Sequence, residues 1–169
     1  ELLLGDVQDT NTHWLCRQIT GRGGRVERAS MVRDDPAAIA DAIQASLRRK
    51  PDLLITCGGL GPTADDLTVQ VVGDALGRTV EENPQALEMV RATYRALARR
   101  GLVADDGLTP ERRKMARLPR GAEPLHNPVG AATGVLLRLE PTVLVCLPGV
   151  PEELKSIFTT SLLPILSQV

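Results

Sequence analysis

The residues best suited to chemistry lie between Asp52 and Thr68, in the run DLLITCGGLGPTADDLT. An apolar stretch, Leu53 to Cys57, breaks at Gly58-Gly59-Leu60-Gly61-Pro62. Two adjacent acids, Asp65 and Asp66, follow, and apolar residues then resume at helical spacing at Val69, Val71, Val72, Ala75 and Leu76. This order predicts a buried strand, a glycine-rich loop and a helix start. Amides exposed at such a junction favour an anion, most often a phosphate. Two carboxylates beside a phosphate repel it unless a divalent cation lies between them. The pattern therefore points to a metal-assisted phosphate site. Two plainer readings stay open on these residues alone. The glycines also suit a tight turn with no ligand, and the acids suit the positive end of a helix dipole.

Other chemistries are unsupported. The loop lacks the GxxxxGK[ST] of a P-loop and the GxGxxG of a dinucleotide fold, and the chain has no HExxH. No GxSxG elbow marks an acyl-transfer hydrolase. His13 and His126 are isolated and read as surface or packing residues. Asp34-Asp35 before Pro36, and Glu152-Glu153 after Pro151, read as ordinary helix-start acids. Arg113 and Lys114 read as solvated bases.

Composition sets the frame for those residues. A chain of 169 residues with 43% hydrophobic content fits one α/β domain with a sizeable core. A formal net charge of −1 argues against a nucleic-acid partner held by bulk charge. Trp14, Tyr94 and Phe158 are the chain's only aromatic residues, so a base-stacking platform for single strands is not expected either. No apolar run reaches the roughly 20 residues that span a bilayer, and no signal peptide is visible, so no membrane partner is expected. Cys16, Cys57 and Cys146 are odd in number and form no close pair. Two of them fall in apparent strands, which predicts reduced, buried thiols in a cytoplasmic protein.

The elements that must position the loop can be read in order. Asp9, Thr10 and Asn11 cap a helix running to about Thr20, with Trp14, Leu15 and Ile19 on one side. A strand is expected near Val26 to Val32. Pro36 opens a helix carrying Ile39, Ile43 and Leu47. After the glycine loop, Asn83-Pro84 starts a long helix with Leu87, Val90, Tyr94 and Leu97 as its stripe, and Pro110 starts a short basic one. Gly134 to Leu139 and Thr142 to Leu147 read as strands, and the second meets Pro148-Gly149-Val150-Pro151 before a closing helix. Strands alternating with helices imply a mainly parallel sheet covered on both faces. Ligands in such folds sit beyond the carboxyl ends of the strands, so the two Gly/Pro loops are expected to border one crevice. No repeat or linker divides the chain, which reads as a single domain over 1–169.

The run from Gly58 to Thr68 resembles the signature loop of the molybdopterin-binding superfamily, the MoaB/Mog-like fold. Further matches are similar to one branch of it, the N-terminal domain of CinA-like competence/damage-inducible proteins. They are Glu1-Leu2-Leu3-Leu4-Gly5 with Asp9-Thr10-Asn11-Thr12, Val32-Arg33-Asp34-Asp35, Arg113-Lys114, Asn127-Pro128-Val129-Gly130 with Gly134, and Leu147 to Glu153. The resemblance spans essentially the whole chain. It implies a three-layer α/β/α sandwich whose first strand, normally just before the residue matching Glu1, is missing from this sequence. It also implies hydrolysis of ADP-ribose to AMP and ribose 5-phosphate with a divalent metal ion. On that likeness Asp66 and Asp34 are the catalytic acids, and Asp65 with Asp66 holds the metal. Gly58, Gly59, Leu60, Gly61, Thr63, Lys114 and Gly149 hold phosphate. The alternatives carried by the same fold are binding of molybdopterin or another pterin phosphate in cofactor biosynthesis, and a catalytically silent oligomerisation domain. The partner is thus a small nucleotide or pterin phosphate, and the superfamily's habit predicts a homodimer or homotrimer. The second CinA domain, associated with nicotinamide mononucleotide deamidation, has no counterpart here. The chain departs from the family pattern at Arg33, Arg112, Met115, Ala131 and Thr133.

Overall fold

The computed structural model describes residues 2–166. The strand expected before Glu1 lies outside the described residues. Helix α1, Thr10–Thr20, is capped by Asp9, whose carboxylate accepts the Thr12 amide at 2.9 Å. Helix α2, Pro36–Leu47, is capped in the same way by Asp35, and α4, Pro84–Arg99, by Asn83. Thr109 caps the short α5, Pro110–Lys114. Proline opens α2, α4 and α5, at the position where its missing N–H has no intrahelical partner to lose.

Strands β1, Leu53–Cys57, and β6, Val143–Leu147, pair in parallel, with Leu53 opposite Val143. Strand β5, Gly134–Arg138, pairs antiparallel with β6, and β4, Glu123–Leu125, pairs antiparallel with β5. The sheet order is β1-β6-β5-β4. The α/β layering is the one expected, and the central sheet is mixed, its parallel contact being β1 with β6. A separate two-stranded ribbon joins β2, Val80–Glu82, to β3, Arg117–Pro119, and lies against α3, Thr68–Ala75. The chain closes with α6, Pro151–Ile157, a π-helical turn over Phe158–Leu162, and α7, Leu163–Leu166.

Alternation along β5 and β6 builds two cores. Val135, Leu137, Leu144 and Cys146 face one side, where they meet α2, α3 and α4 through Ile39, Ile43, Val72 and Val90. Leu136, Val145 and Leu147 face the other, against Leu15 of α1, Leu154 and Ile157 of α6, and Phe158. Both faces are covered, so β6 is apolar at every position and β5 up to its exposed last residue, Arg138, as a sheet between two helical layers requires. The three-layer sandwich follows.

Two expectations need correction. Residues 26–32 form no strand. A strand is stable only with a neighbour to accept its backbone bonds. Among the described residues β1 pairs with β6 alone, and this segment stays exposed apart from half-buried Val26. Cys57, read as a buried strand thiol, ends β1 in an exposed position, whereas Cys146 is buried and Cys16 half-buried. No described helix is long and apolar enough to cross a membrane.

Candidate functional site

The carboxyl ends of β1 and β6 meet. The Gly58 amide donates to the Leu147 carbonyl at 2.9 Å, and a side chain on Gly149 would come to 3.4 Å from the Gly58 Cα. The chain then turns sharply through Gly58 and Gly59, with φ of +96° and +70°. A Cβ on Gly59 would also run into the Thr68 side chain. Glycine is therefore required at Gly59 both by dihedral and by space. The Gly59 carbonyl accepts the Thr68 amide at 3.2 Å, which ties the loop to the start of α3. Among the described residues, the amides of Gly59 and Leu60 bond to no protein acceptor.

Asp66 turns back into this loop. One of its carboxylate oxygens accepts both the amide and the hydroxyl of Thr63, at 2.9 and 2.6 Å. The Lys114 ammonium, at the end of α5, donates to the Thr63 carbonyl. Partial burial pushes the Asp66 carboxyl up. The Thr63 hydroxyl, the amides of Gly61 and Thr63 and the Lys114 charge outweigh that, leaving it below the usual aspartate value. Asp66 is thus held ionised.

A second carboxylate stands on the opposite wall. Glu153, in the first turn of α6, accepts from the buried Asn127 side-chain amide at 2.8 Å, and that amide also donates to the Ala132 carbonyl at 2.9 Å. A Cβ on Gly130 would collide with the Glu153 carboxylate, so the backbone passes directly over the acid. Burial raises the Glu153 carboxyl above its ordinary value, and the Asn127 bond offsets only part of the rise. Two carboxylates in one site with opposite shifts are a familiar division of acid–base labour.

Both acids line a cleft of about 400 Å³, walled by the loop from Gly59 to Pro62, by Ala131 and Ala132, by Pro148-Gly149-Val150 and by Tyr94. A smaller cavity of about 140 Å³ continues from it toward the β2–β3 ribbon, past Lys114, Arg117, Gln70 and Thr133. Gly59, Leu60, Gly61, Asp66 and Met115 line both. The two Gly/Pro loops do border one crevice, and Asp66 sits at its seam.

The sequence-derived residues divide accordingly. Gly59, Leu60, Gly61, Asp66, Lys114 and Gly149 come together, while Gly58 shapes the turn and Thr63 directs both its donors at Asp66. Asp34 is exposed before α2 and Asp65 is exposed beside the loop, and neither lines these two cavities. Among the described residues no group of three or more His, Cys, Asp or Glu side chains could hold a metal ion. Of the departures from the family pattern, Met115, Ala131 and Thr133 reach the cavities, whereas Arg112 and Arg33 do not. Arg112 bonds Asp105 and Gly107, and Arg113 forms a two-pronged pair with Glu82 at 2.9 and 3.0 Å. Neither arginine neutralises Asp66. Sequence reasoning passed over Glu153, as a first-turn acid, and Tyr94, as part of an apolar stripe. The available signal was Asn127-Pro128-Val129-Gly130, whose asparagine and glycine both serve the Glu153 carboxylate.

Comparison with known proteins agrees with this architecture. The model of a probable molybdopterin-binding domain matches residues 1–168. A protein of Pyrococcus horikoshii is 40% identical over 168 residues, covering 99% of this chain, and one of Aeropyrum pernix is 46% identical over 169. The chain spans 66% and 60% of those two curated relatives. The crystal structure of the protein CinA from Thermoplasma acidophilum superposes with a TM-score of 0.84 at 33% identity, covering 94% of this chain and 88% of that one. MoaB of Thermus thermophilus shares the fold, with a TM-score of 0.60 at 23% identity over 99% of this chain and 86% of its own. The chain belongs to the molybdopterin-binding domain family, and within it to the CinA-like proteins.

Proposed function

We propose that this domain is a metal-dependent nucleotide pyrophosphatase that hydrolyses ADP-ribose to AMP and ribose 5-phosphate. The observation that carries the reading is the pair of joined cavities with Asp66 at their seam. A pyrophosphate links two arms of unequal size, and a crevice with a larger and a smaller lobe suits such a molecule. The bridging phosphates would lie against the free amides of Gly59 and Leu60, with Lys114 offsetting charge at the mouth of the smaller lobe.

The donor set fits a hydrated divalent ion carried in with the phosphates, because one or two carboxylates plus substrate oxygens suffice for such an ion. Asp66 would hold it. Bound there, the ion supplies charge neutralisation and a more acidic water. The remaining work belongs to the chain. Asp66, held ionised by Thr63, makes a poor proton acceptor and a good charge holder. Glu153 has the higher proton affinity and would take the proton as a water oxygen bonds to phosphorus. The P–O bond to the other phosphate breaks, and that phosphate leaves with the bond's electron pair. A reduced, cytoplasmic setting suits the free cysteines. Self-association as a dimer or trimer belongs to the same reading and is checked by light scattering.

The test is incubation of the purified domain with ADP-ribose and a panel of divalent metals, with Asp66→Asn as control. AMP from the wild type and not from the variant supports the reading. No AMP with any metal, together with a pterin retained through purification, transfers the domain to pterin-phosphate binding.

A further inference from the structure

The chain has one tyrosine, one tryptophan and one phenylalanine. Trp14 and Phe158 stack edge to face at 5.2 Å between ring centroids, on the core that α1 and α6 share. Tyr94, on α4, is the aromatic residue that lines the large lobe of the cleft, on the wall shared with the glycine loop and Met115. Its ring is braced from outside. The Arg112 guanidinium carbon lies 4.0 Å from the Tyr94 ring centroid. Arg112 is itself fixed, donating to the Asp105 carbonyl at 3.1 Å, the Asp105 carboxylate at 3.3 Å and the Gly107 carbonyl at 2.5 Å. Its side chain is only 16% exposed and it does not line the cleft.

A cation on one face of a phenol ring fixes the ring and draws electron density from it. Such a ring is a good partner for a flat, electron-rich, nitrogen-containing bicycle stacked on its open side. The lobe, about 400 Å³, falls within the range of small-molecule sites, and Ala131 and Ala132 leave its wall low. We infer that Tyr94, braced by Arg112, forms a ring subsite in the large lobe that takes a bicyclic heteroaromatic, the purine of a nucleotide or the chemically similar pterin. The inference rests on the phosphate-binding reading of the same cleft and adds to it the group that selects the arm of the ligand. It also gives Arg112, one of the chain's departures from the family pattern, a role behind the cleft wall.

The experiment is calorimetric titration of wild type, Tyr94→Phe and Tyr94→Leu with AMP, ribose 5-phosphate and neopterin. Stacking on an aromatic side chain is worth about tenfold or more in affinity when that side chain is removed. Tyr94→Leu should therefore weaken AMP at least tenfold and leave ribose 5-phosphate unchanged, while Tyr94→Phe stays within about threefold of wild type. If neopterin rather than AMP shows the dependence on Tyr94, the subsite stands and its ring is a pterin. Equal losses for AMP and ribose 5-phosphate, or no loss for AMP and neopterin in Tyr94→Leu, overturn it. Wild type that binds ribose 5-phosphate but neither ring compound overturns the subsite and spares the phosphate reading. Wild type that binds none of the three removes both. Should Tyr94→Leu fail to fold, Arg112→Met, which removes the cation behind the ring together with its bonds to Asp105 and Gly107, must weaken AMP or neopterin relative to ribose 5-phosphate or the inference falls.

Discussion

Asn127 and Glu153 are joined by a 2.8 Å bond from amide to carboxylate. The same Asn127 side chain accepts the amides of Val129 and Gly130 at 3.2 and 3.0 Å. One buried side chain thereby folds the loop over α6 and aims the acid beneath it. Removing it leaves several polar groups unpaired in a half-buried setting. Asn127→Ala is expected to cost about 1–3 kcal/mol, read from the midpoint of denaturant unfolding with the slope unchanged.

Glu153→Gln should separate stability from turnover. Burial raises the Glu153 carboxyl, so the folded chain binds that proton more readily than the unfolded chain does. The associated stability is complete below the ordinary glutamate range and is lost as pH rises through the raised value. Glutamine mimics the protonated form. The variant should melt above wild type at pH 7, the gap closing below about pH 4. Its hydrolysis of ADP-ribose should fall about a hundredfold or more, the contribution typical of a positioned base.

Asp66→Asn carries the opposite sign. The Asp66 carboxyl is held below its usual range, so its contribution is present above about pH 4 and disappears as pH falls through the folded value. Wild type should lose stability in acid more steeply than the variant. Urea midpoints collected between pH 6 and 2 decide the matter, and parallel curves would remove Asp66 from the account.

Gly59→Ala tests the loop backbone. Its φ of +70° is costly for any other residue, and the new methyl would strike Thr68. The two effects together should cost about 1–3 kcal/mol or more. Binding of pyrophosphate in the same titration format should be lost well before the fold is. Retained binding at wild-type strength would show that this turn does not hold the phosphate.

Long periodic elements with capped starts are legible in the sequence. Asp9, Asp35 and Asn83 announce their helices because a side-chain acceptor before a helical pattern has few other uses, whereas the Thr109 cap of the short α5 carries no such pattern behind it. The three-residue strands at Val80, Arg117 and Glu123 were not legible. They are too short for a period, and Pro119 and Pro124 argue against strand wherever edge placement is unknown. The strand expected near Val26 to Val32 failed in the other direction, since local composition cannot report whether a partner strand lies alongside. At the site, the glycine loop and Asp66 could be read from local spacing. Glu153 and Tyr94 could not, because each acquires its place only when β6 and α4 close on a loop far away in sequence. Asp65 and Asp34 look equivalent to Asp66 on paper. The turn at Thr63 brings Asp66 inward and leaves Asp65 outside, while Asp34 stays exposed before α2.

The lone indole of the chain also offers a way to watch the cleft. Trp14 lies one helical turn beyond Asn11, whose amide holds the Gly149 carbonyl at 2.8 Å, and the Lys155 ammonium sits 6.0 Å from its ring centroid. Any guest that shifts the Pro148–Val150 segment must pull on α1 through that bond and move a nearby charge relative to the indole. The emission spectrum of one unlabelled residue thus becomes a gauge of occupancy on the opposite side of the sheet from the Tyr94 wall, free of overlapping signals from a second tryptophan.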